Sequence, residues 1–249
     1  MSKKLQNKVA IVTGASKGIG ASIAKALAAE GAAVIVNYSS SHEDAEKVVN
    51  EINEKGGQAL AVQANVSLQK DIEYLIQEAL RVFKKIDILV NNAGLYEFLP
   101  LEMITEEHFY KLFNINVLGL ILTIKEVVKH LGPGSSIINI GSVVSLATVP
   151  NGSVYSATKA AVDTITRSLS KELGEKRIRI NAVNPGMVET EGTRSAGINT
   201  SDFRKQVEAK TPLGRIGKPE DVAPLVTFLA TDDASWITGE TYYLSGGAR

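Results

Sequence analysis

The chain of 249 residues has no cysteine, which excludes disulfides, thiolate-bound zinc and a thiol nucleophile. It has only three histidines, and His42, His108 and His130 lie too far apart in sequence to suggest a metal site. It has no excess of either charge: 27 Lys and Arg balance 27 Asp and Glu, so no global field draws nucleic acid or an anionic membrane. No run approaches the roughly 20 apolar residues of a membrane span. The start, Met1 to Lys8, is polar and lacks the apolar stretch of a signal peptide, so a cytoplasmic protein is expected. There is also no Pro/Ser/Gly linker, fixed-period repeat or low-complexity block. A single domain over 1–249 is therefore expected, with a loop-rich substrate segment at about 187–215.

What the chain does have is a regular alternation. Short β-rich runs near 8–13, 32–38, 58–66, 86–92, 136–142, 178–184 and 240–245 are separated by helical patterns, which predicts a parallel, doubly wound α/β sheet of about seven strands. Runs such as VAIVT, AAVIVNY, IDILVNN and SIINIGS are apolar on both faces, as strands covered by helices on both sides must be. Helix starts agree. Ser41 with Asp44, and Thr105 with Glu106 and Glu107, supply caps and first-turn acids, and Pro219 suits the first position of a late helix.

The first strand leads into Gly14-Ala15-Ser16-Lys17-Gly18-Ile19-Gly20, followed by a helical pattern with Ile19, Ile23 and Leu27 on one face. A glycine turn between strand and helix lets backbone N–H groups approach a pyrophosphate, and the positive end of the helix dipole favours the anion there. Farther on, Tyr155 and Lys159 sit at i and i+4 of a predicted helix, hence on one face. An ammonium near a phenol favours the phenolate and brings the tyrosine toward acid–base work near neutral pH. In doubly wound sheets ligands bind beyond the carboxyl ends of the strands. Six loops would meet there: Gly14–Gly20, Asn37, Asn65, Asn92–Gly94, Ser142 and Pro185-Gly186.

The set Thr13-Gly14-x-x-x-Gly18-x-Gly20, Asn91-Asn92-Ala93-Gly94, Asn116, Ser142, Tyr155-x-x-x-Lys159 and Pro185-Gly186 resembles the classical short-chain dehydrogenase/reductase family over nearly the whole chain. The resemblance implies a Rossmann-like single-domain fold and interconversion of a ketone and a secondary alcohol by hydride transfer with a nicotinamide cofactor. It implies Tyr155 as acid/base, Ser142 as donor to the reacting oxygen, and Lys159 as ligand of the nicotinamide ribose whose charge lowers the Tyr155 pKa. Asn116 would support a water relay to Lys159. Asn92, Ala93 and Gly94 would lie on the adenosine ribose side, and Pro185, Gly186, Val188 and Thr190 at the nicotinamide end. The family commonly has aspartate where this chain has Asn65, followed by Val66; the amide oxygen of Asn65 is expected to meet the adenine amine.

The second strand ends Asn37-Tyr38-Ser39-Ser40 without the acid that normally binds the ribose of NAD, and Glu43 and Asp44 fall inside the next helix. With Lys17 in the glycine turn, this pattern is similar to NADP-preferring members, so NADP(H) is expected ahead of NAD(H). The cofactor set is thus Gly14, Ser16, Lys17, Gly18, Ile19, Gly20, Asn37, Tyr38, Ser39, Asn65, Val66 and the loops above. Leu95, Tyr96, Val143, Val144, Leu146, Met187, Phe203 and Leu213 would line an apolar substrate wall.

Within the family the likeness leans to 3-oxoacyl carrier-protein reductases and glucose-dehydrogenase-like enzymes, with an acyl-thioester as one substrate option and Lys129 and Lys171 as basic sites for a carrier. A homotetramer is implied, built on apolar helix positions including Leu118, Ile121, Leu122, Ile124, Val127, Val162, Ile165 and Leu169, and Arg249 could reach a neighbouring subunit. The rival reading is a non-catalytic NADP(H)-sensing protein on the same fold. A sensor, however, has no need of the Ser142, Tyr155 and Lys159 set.

Overall fold

The computed structural model describes residues 3–195 and 202–248, apart from the side chain of Phe203. Chain order is β1 (Val9–Val12), α1 (Gly18–Ala29), β2 (Ala33–Tyr38), α2 (His42–Glu54), β3 (Gln58–Gln63), α3 (Gln69–Phe83) and β4 (Ile88–Asn91). Then come α4 (Glu106–Phe113), α5 (Gly119–Val127), β5 (Ser136–Ile140), α6 (Ser153–Gly174) and β6 (Arg179–Pro185). The chain closes with α7 (Glu191–Ser195), α8 (Asp202–Lys210), α9 (Pro219–Ala230) and β7 (Thr241–Leu244). The seven strands form one parallel sheet in the order β3-β2-β1-β4-β5-β6-β7. The order reverses beside β1, which opens a crevice between the loops after β1 and β4.

Alternate residues of each strand feed two cores. On one side Ala10, Val12, Val34, Val36 and Val90 pack under α1, α2 and α9; on the other Ile11, Ile35, Leu89, Ile137 and Ile180 pack under α3, α5 and α6. Ile23, Ala24 and Leu27 of α1 share the first core with Val222, Val226 and Leu229 of α9, from opposite ends of the chain. The end of α9 is fastened from the sheet. The buried Arg179 guanidinium donates to the carbonyl oxygens of Leu229 (2.8 Å) and Thr231 (3.0 Å), as befits a cation at a helix C-terminus.

Several boundaries differ from expectation. β3 stops at Gln63, so Asn65 and Val66 lie in the loop beyond it. Ser41 stands at the N-cap of α2 without a side-chain bond, whereas the Thr105 hydroxyl accepts from the His108 N–H at 3.1 Å. Between α4 and α5 the helical path passes through a π-helical turn, Asn114–Leu118, which carries Asn116. Of the apolar positions along this path, Leu120, Ile124 and Val127 face the core while Leu118 and Ile121 stay exposed. Arg249 lies outside the described residues.

Candidate active site

The glycine turn is built for close approach. Gly14 has φ +60°, and a Cβ there would come 2.9 Å from Ala93 Cα; one at Gly20 would come 2.4 Å from Asn92 Nδ2. Thr13 and Asn92 knit the turn to the loop after β4. The Thr13 hydroxyl accepts from the N–H groups of Asn92 and Ala93, and Asn92 Nδ2 donates to Thr13 and Gly14 carbonyl oxygens at 2.9 Å each. No side chain caps α1, so the first N–H groups of the helix are left for an outside acceptor. Bare glycines and uncapped N–H groups fit a pyrophosphate. Across the turn Thr190 packs on Gly18, and Val188 is held in a bridge to Gly217.

The end of β2 differs from the sequence reading. Asn37 is buried: its Oδ1 accepts from the Gly14 N–H (3.2 Å), and its Nδ2 has acceptors in the Val62 (3.2 Å) and Ala64 (3.0 Å) carbonyl oxygens. It braces the glycine turn against β3 and has no polar atom left for a ribose. Tyr38 is buried as well, with its hydroxyl 2.8 Å from His42 Nδ1, so among these residues only Ser39 and Ser40 are exposed. Lys17 is not an isolated cation, because its ammonium lies 2.8 Å from the Asp44 carboxylate, which Lys47 also approaches. The hydrogen bond from Lys17 holds the Asp44 carboxyl below its usual range. At Asn65 both lone pairs of the side-chain oxygen are taken by the Ser67 N–H (3.0 Å) and hydroxyl (2.8 Å), which leaves the amide nitrogen, a donor, in place of the expected acceptor.

At the other end of the crevice, Ser142 follows β5 and caps a short 3-10 turn, Val143–Ser145. Burial pushes the Tyr155 phenol up, a hydrogen bond from the Ser142 hydroxyl works against that, and Tyr96 adds to the rise. Lys159 Nζ lies 6.0 Å from the Tyr155 ring centroid, and burial is the largest influence on the phenol. The Lys159 ammonium is itself buried, donates to the Ile140 carbonyl at 3.0 Å, and is pushed down to about 8 by burial, with Asp163 opposing. Gly94 lies close by: a Cβ there would come 3.2 Å from Asn116 Oδ1 and into ordinary contact with Lys159 Nζ.

Asn116 sits in the π turn with both polar side-chain atoms bonded. Oδ1 accepts from the Leu95 N–H, and Nδ2 donates to the Leu95 carbonyl (2.8 Å) and the Thr158 hydroxyl (3.0 Å). That side chain is a strut joining the loop after β4 to α6.

The wall expected to line the substrate is aromatic as well as apolar beside Tyr155. The Phe98 ring meets Tyr155 edge-on at 5.7 Å between centroids, and Tyr96 does so at 6.4 Å. Sequence reading missed Phe98, although its alternation with Tyr96 was visible. Tyr96 also touches the segment after β6, where a Cβ on Gly192 would meet its hydroxyl at 2.9 Å. Leu146 and Leu213 point largely to solvent. The side chain of Phe203 lies outside the description. Lys129, proposed for a carrier protein, is paired with Glu126 at 2.6 Å.

Comparison with known proteins agrees with this geometry. A family profile described as Enoyl-(Acyl carrier protein) reductase matches residues 14–249. An uncharacterized oxidoreductase of Methylorubrum extorquens is 53% identical over 246 residues, covering 99% of each chain. A protein of Zymoseptoria tritici named probable tetrahydroxynaphthalene reductase is 40% identical over 255 residues, covering 98% of this chain and 96% of its own. A short chain dehydrogenase from Burkholderia cenocepacia, solved in complex with NADP, superposes with a TM-score of 0.91 at 35% identity, covering 98% of this chain and 99% of its own.

Proposed function

Because the chain belongs to the short-chain dehydrogenase/reductase family of oxidoreductases, whose members take nicotinamide cofactors, we propose that it interconverts a ketone and a secondary alcohol with NADP(H) as the preferred cofactor. The observation that carries this reading is the meeting of Ser142, Tyr155 and Lys159 at the carboxyl end of β5: a half-buried phenol with a hydroxyl donor on one side and a buried ammonium on the other.

When bound, the reduced dinucleotide supplies hydride to the carbonyl carbon. Tyr155 gives its phenolic proton to the carbonyl oxygen in reduction and takes it back in oxidation. Ser142 hydrogen-bonds that oxygen, and the Lys159 charge stabilises the phenolate left behind. Asn116 holds Leu95 and Thr158, and through them the two walls of the site. Gly14, Ser16, Gly18, Ile19 and Gly20 cradle the pyrophosphate, Lys17, Ser39 and Ser40 receive the 2′-phosphate, and Asn65 and Val66 flank the adenine. Asn92, Ala93 and Gly94 line the ribose side, and Pro185, Gly186, Val188 and Thr190 the nicotinamide end. The absence of an acid at the end of β2 and the NADP complex of the Burkholderia relative both support this cofactor choice.

The edge-on rings of Tyr96 and Phe98 favour a flat aryl ketone, which agrees with the naphthalene substrate in the name of the Zymoseptoria relative. The enzyme is cytoplasmic and forms a homotetramer through the exposed apolar residues Tyr110, Leu118 and Ile121. Absorbance of reduced nicotinamide, followed with aryl ketones, short 3-oxoesters and an acyl-thioester mimic against NADPH and NADH, tests the proposal. Loss of absorbance that needs both ketone and cofactor supports it. Tight dinucleotide binding without turnover on any ketone favours the sensor.

A further inference from the structure

Beneath the site lies a buried carboxylate for which the proposed chemistry has no use. The geometry points to Asp163 as a positioning residue: the counter-charge that keeps the Lys159 ammonium protonated and in place, itself held by Asn184. The inference rests on the reading of Lys159 as the cation beside the acid/base tyrosine.

Asp163 follows Lys159 by four residues on α6, so both project from one face, and they are 5% and 7% exposed. Both carboxylate oxygens of Asp163 accept from Asn184 Nδ2, at 3.0 and 3.1 Å, and among the described residues no cation lies within ion-pair distance. One neutral amide does not compensate a buried carboxylate, which is stable in its charged form only where a positive charge is near. Lys159 is that charge. The influence is mutual, since Asp163 is the one group that raises the Lys159 pKa against burial. The other groups around Lys159 are neutral before any proton is transferred: the Tyr155 phenol, the Ile140 carbonyl on β5, and the Asn116 amide in the π turn beside Gly94.

Asn184 is placed to hold the carboxylate and little else. It lies near the end of β6, immediately before Pro185-Gly186, and its Nδ2 also donates to the Ser145 hydroxyl at 3.0 Å, in the turn that Ser142 caps. Its Oδ1 is a buried acceptor without a partner, pressed against Gly141 so closely that a Cβ there would lie 1.9 Å away. A buried orphan of this kind calls for a cause. The cause is orientation: the amide turns its nitrogen to Asp163 and leaves its oxygen unbonded. One network thus ties the helix of Tyr155 and Lys159, the turn of Ser142 and the strand leading to Pro185-Gly186.

The test reads Lys159 directly, by NMR titration of protein labelled at lysine Cε, with the signal assigned by its loss in Lys159→Met. In Asp163→Asn, which still offers Asn184 an acceptor, the Lys159 midpoint is expected to fall by on the order of one pH unit or more. Asp163→Ser, whose hydroxyl can also accept from Asn184, must shift it in the same sense and serves if the asparagine variant does not fold. An unchanged midpoint in a folded variant overturns the inference, even if ketone reduction is intact. A shifted midpoint in a protein that reduces no ketone sustains the counter-charge and removes the reductase reading, so the two can fail separately.

Discussion

Lys17 and Asp44 join the glycine turn to the first turn of α2 through an ion pair of 2.8 Å, beside the exposed Ser39 and Ser40. A 2′-phosphate drawn to Lys17 meets a carboxylate already there. Asp44→Asn removes that competitor and should tighten NADPH binding by roughly two- to tenfold while leaving NADH nearly unchanged, because an exposed pair is worth at most about 1 kcal/mol. The gain should shrink with added salt. Fluorescence titration of both cofactors at two ionic strengths checks this; equal tightening of NADH would place Asp44 away from the 2′-phosphate.

Tyr155→Phe keeps the ring that packs on Tyr96 and Phe98 and removes only the hydroxyl. Turnover should fall by about 10²- to 10⁴-fold, the range for a lost general acid, with cofactor affinity within about twofold of the parent. Steady-state kinetics and a cofactor titration on one preparation decide it. Retained turnover would take Tyr155 out of the reaction.

Burial brings the Lys159 ammonium down to about 8, from 10.5 for a solvated lysine. Between those values the unfolded chain binds the proton and the folded one does not, so stability rises with pH across this window. Below about 8 both states are protonated and the full penalty applies, of the order of 3 kcal/mol. The difference in unfolding free energy between the parent and Lys159→Met should therefore change between pH 8 and 10, the parent gaining on the variant. Denaturant titrations at pH 7, 8, 9 and 10 measure it, and a constant difference would contradict the buried charge.

Two glycines should answer oppositely to alanine. Gly141 has Asn184 Oδ1 where a Cβ would go, so Gly141→Ala should destabilise by about 3 kcal/mol or more and weaken activity by moving Asn184. Gly174, at the last turn of α6, has nothing within 4 Å and should gain roughly 0.5–1 kcal/mol as alanine. Thermal melts of both variants give the comparison.

The strands were legible because sheets covered on both sides need runs apolar on both faces, and VAIVT, AAVIVNY and SIINIGS supply them. The gathering of the glycine turn, Asn92, Ser142 and Pro185 at one sheet edge followed from the same alternation. What stayed hidden depends on pairing across the fold. The pattern around Asn37 does not tell that its amide braces β3, nor does the sequence tell that the Asn116 side chain reaches Leu95 and Thr158. The burial of Tyr155, the largest influence on its phenol, was also out of view, because sequence displays nearby charges and not packing. Asp163 stood in view four residues after Lys159, but its partner Asn184 comes from β6, and only the packing of α6 on that strand unites them.

The packing of α1 on α9 gives this protein a long vulnerable infancy. A ribosome makes Ile23, Ala24 and Leu27 long before their cover, Val222, Val226 and Leu229. Until those residues emerge the growing chain carries a bare apolar helix face, and such surfaces invite aggregation or chaperone capture. Emergence of α9, rather than completion of the cofactor cradle, is the event that closes this core.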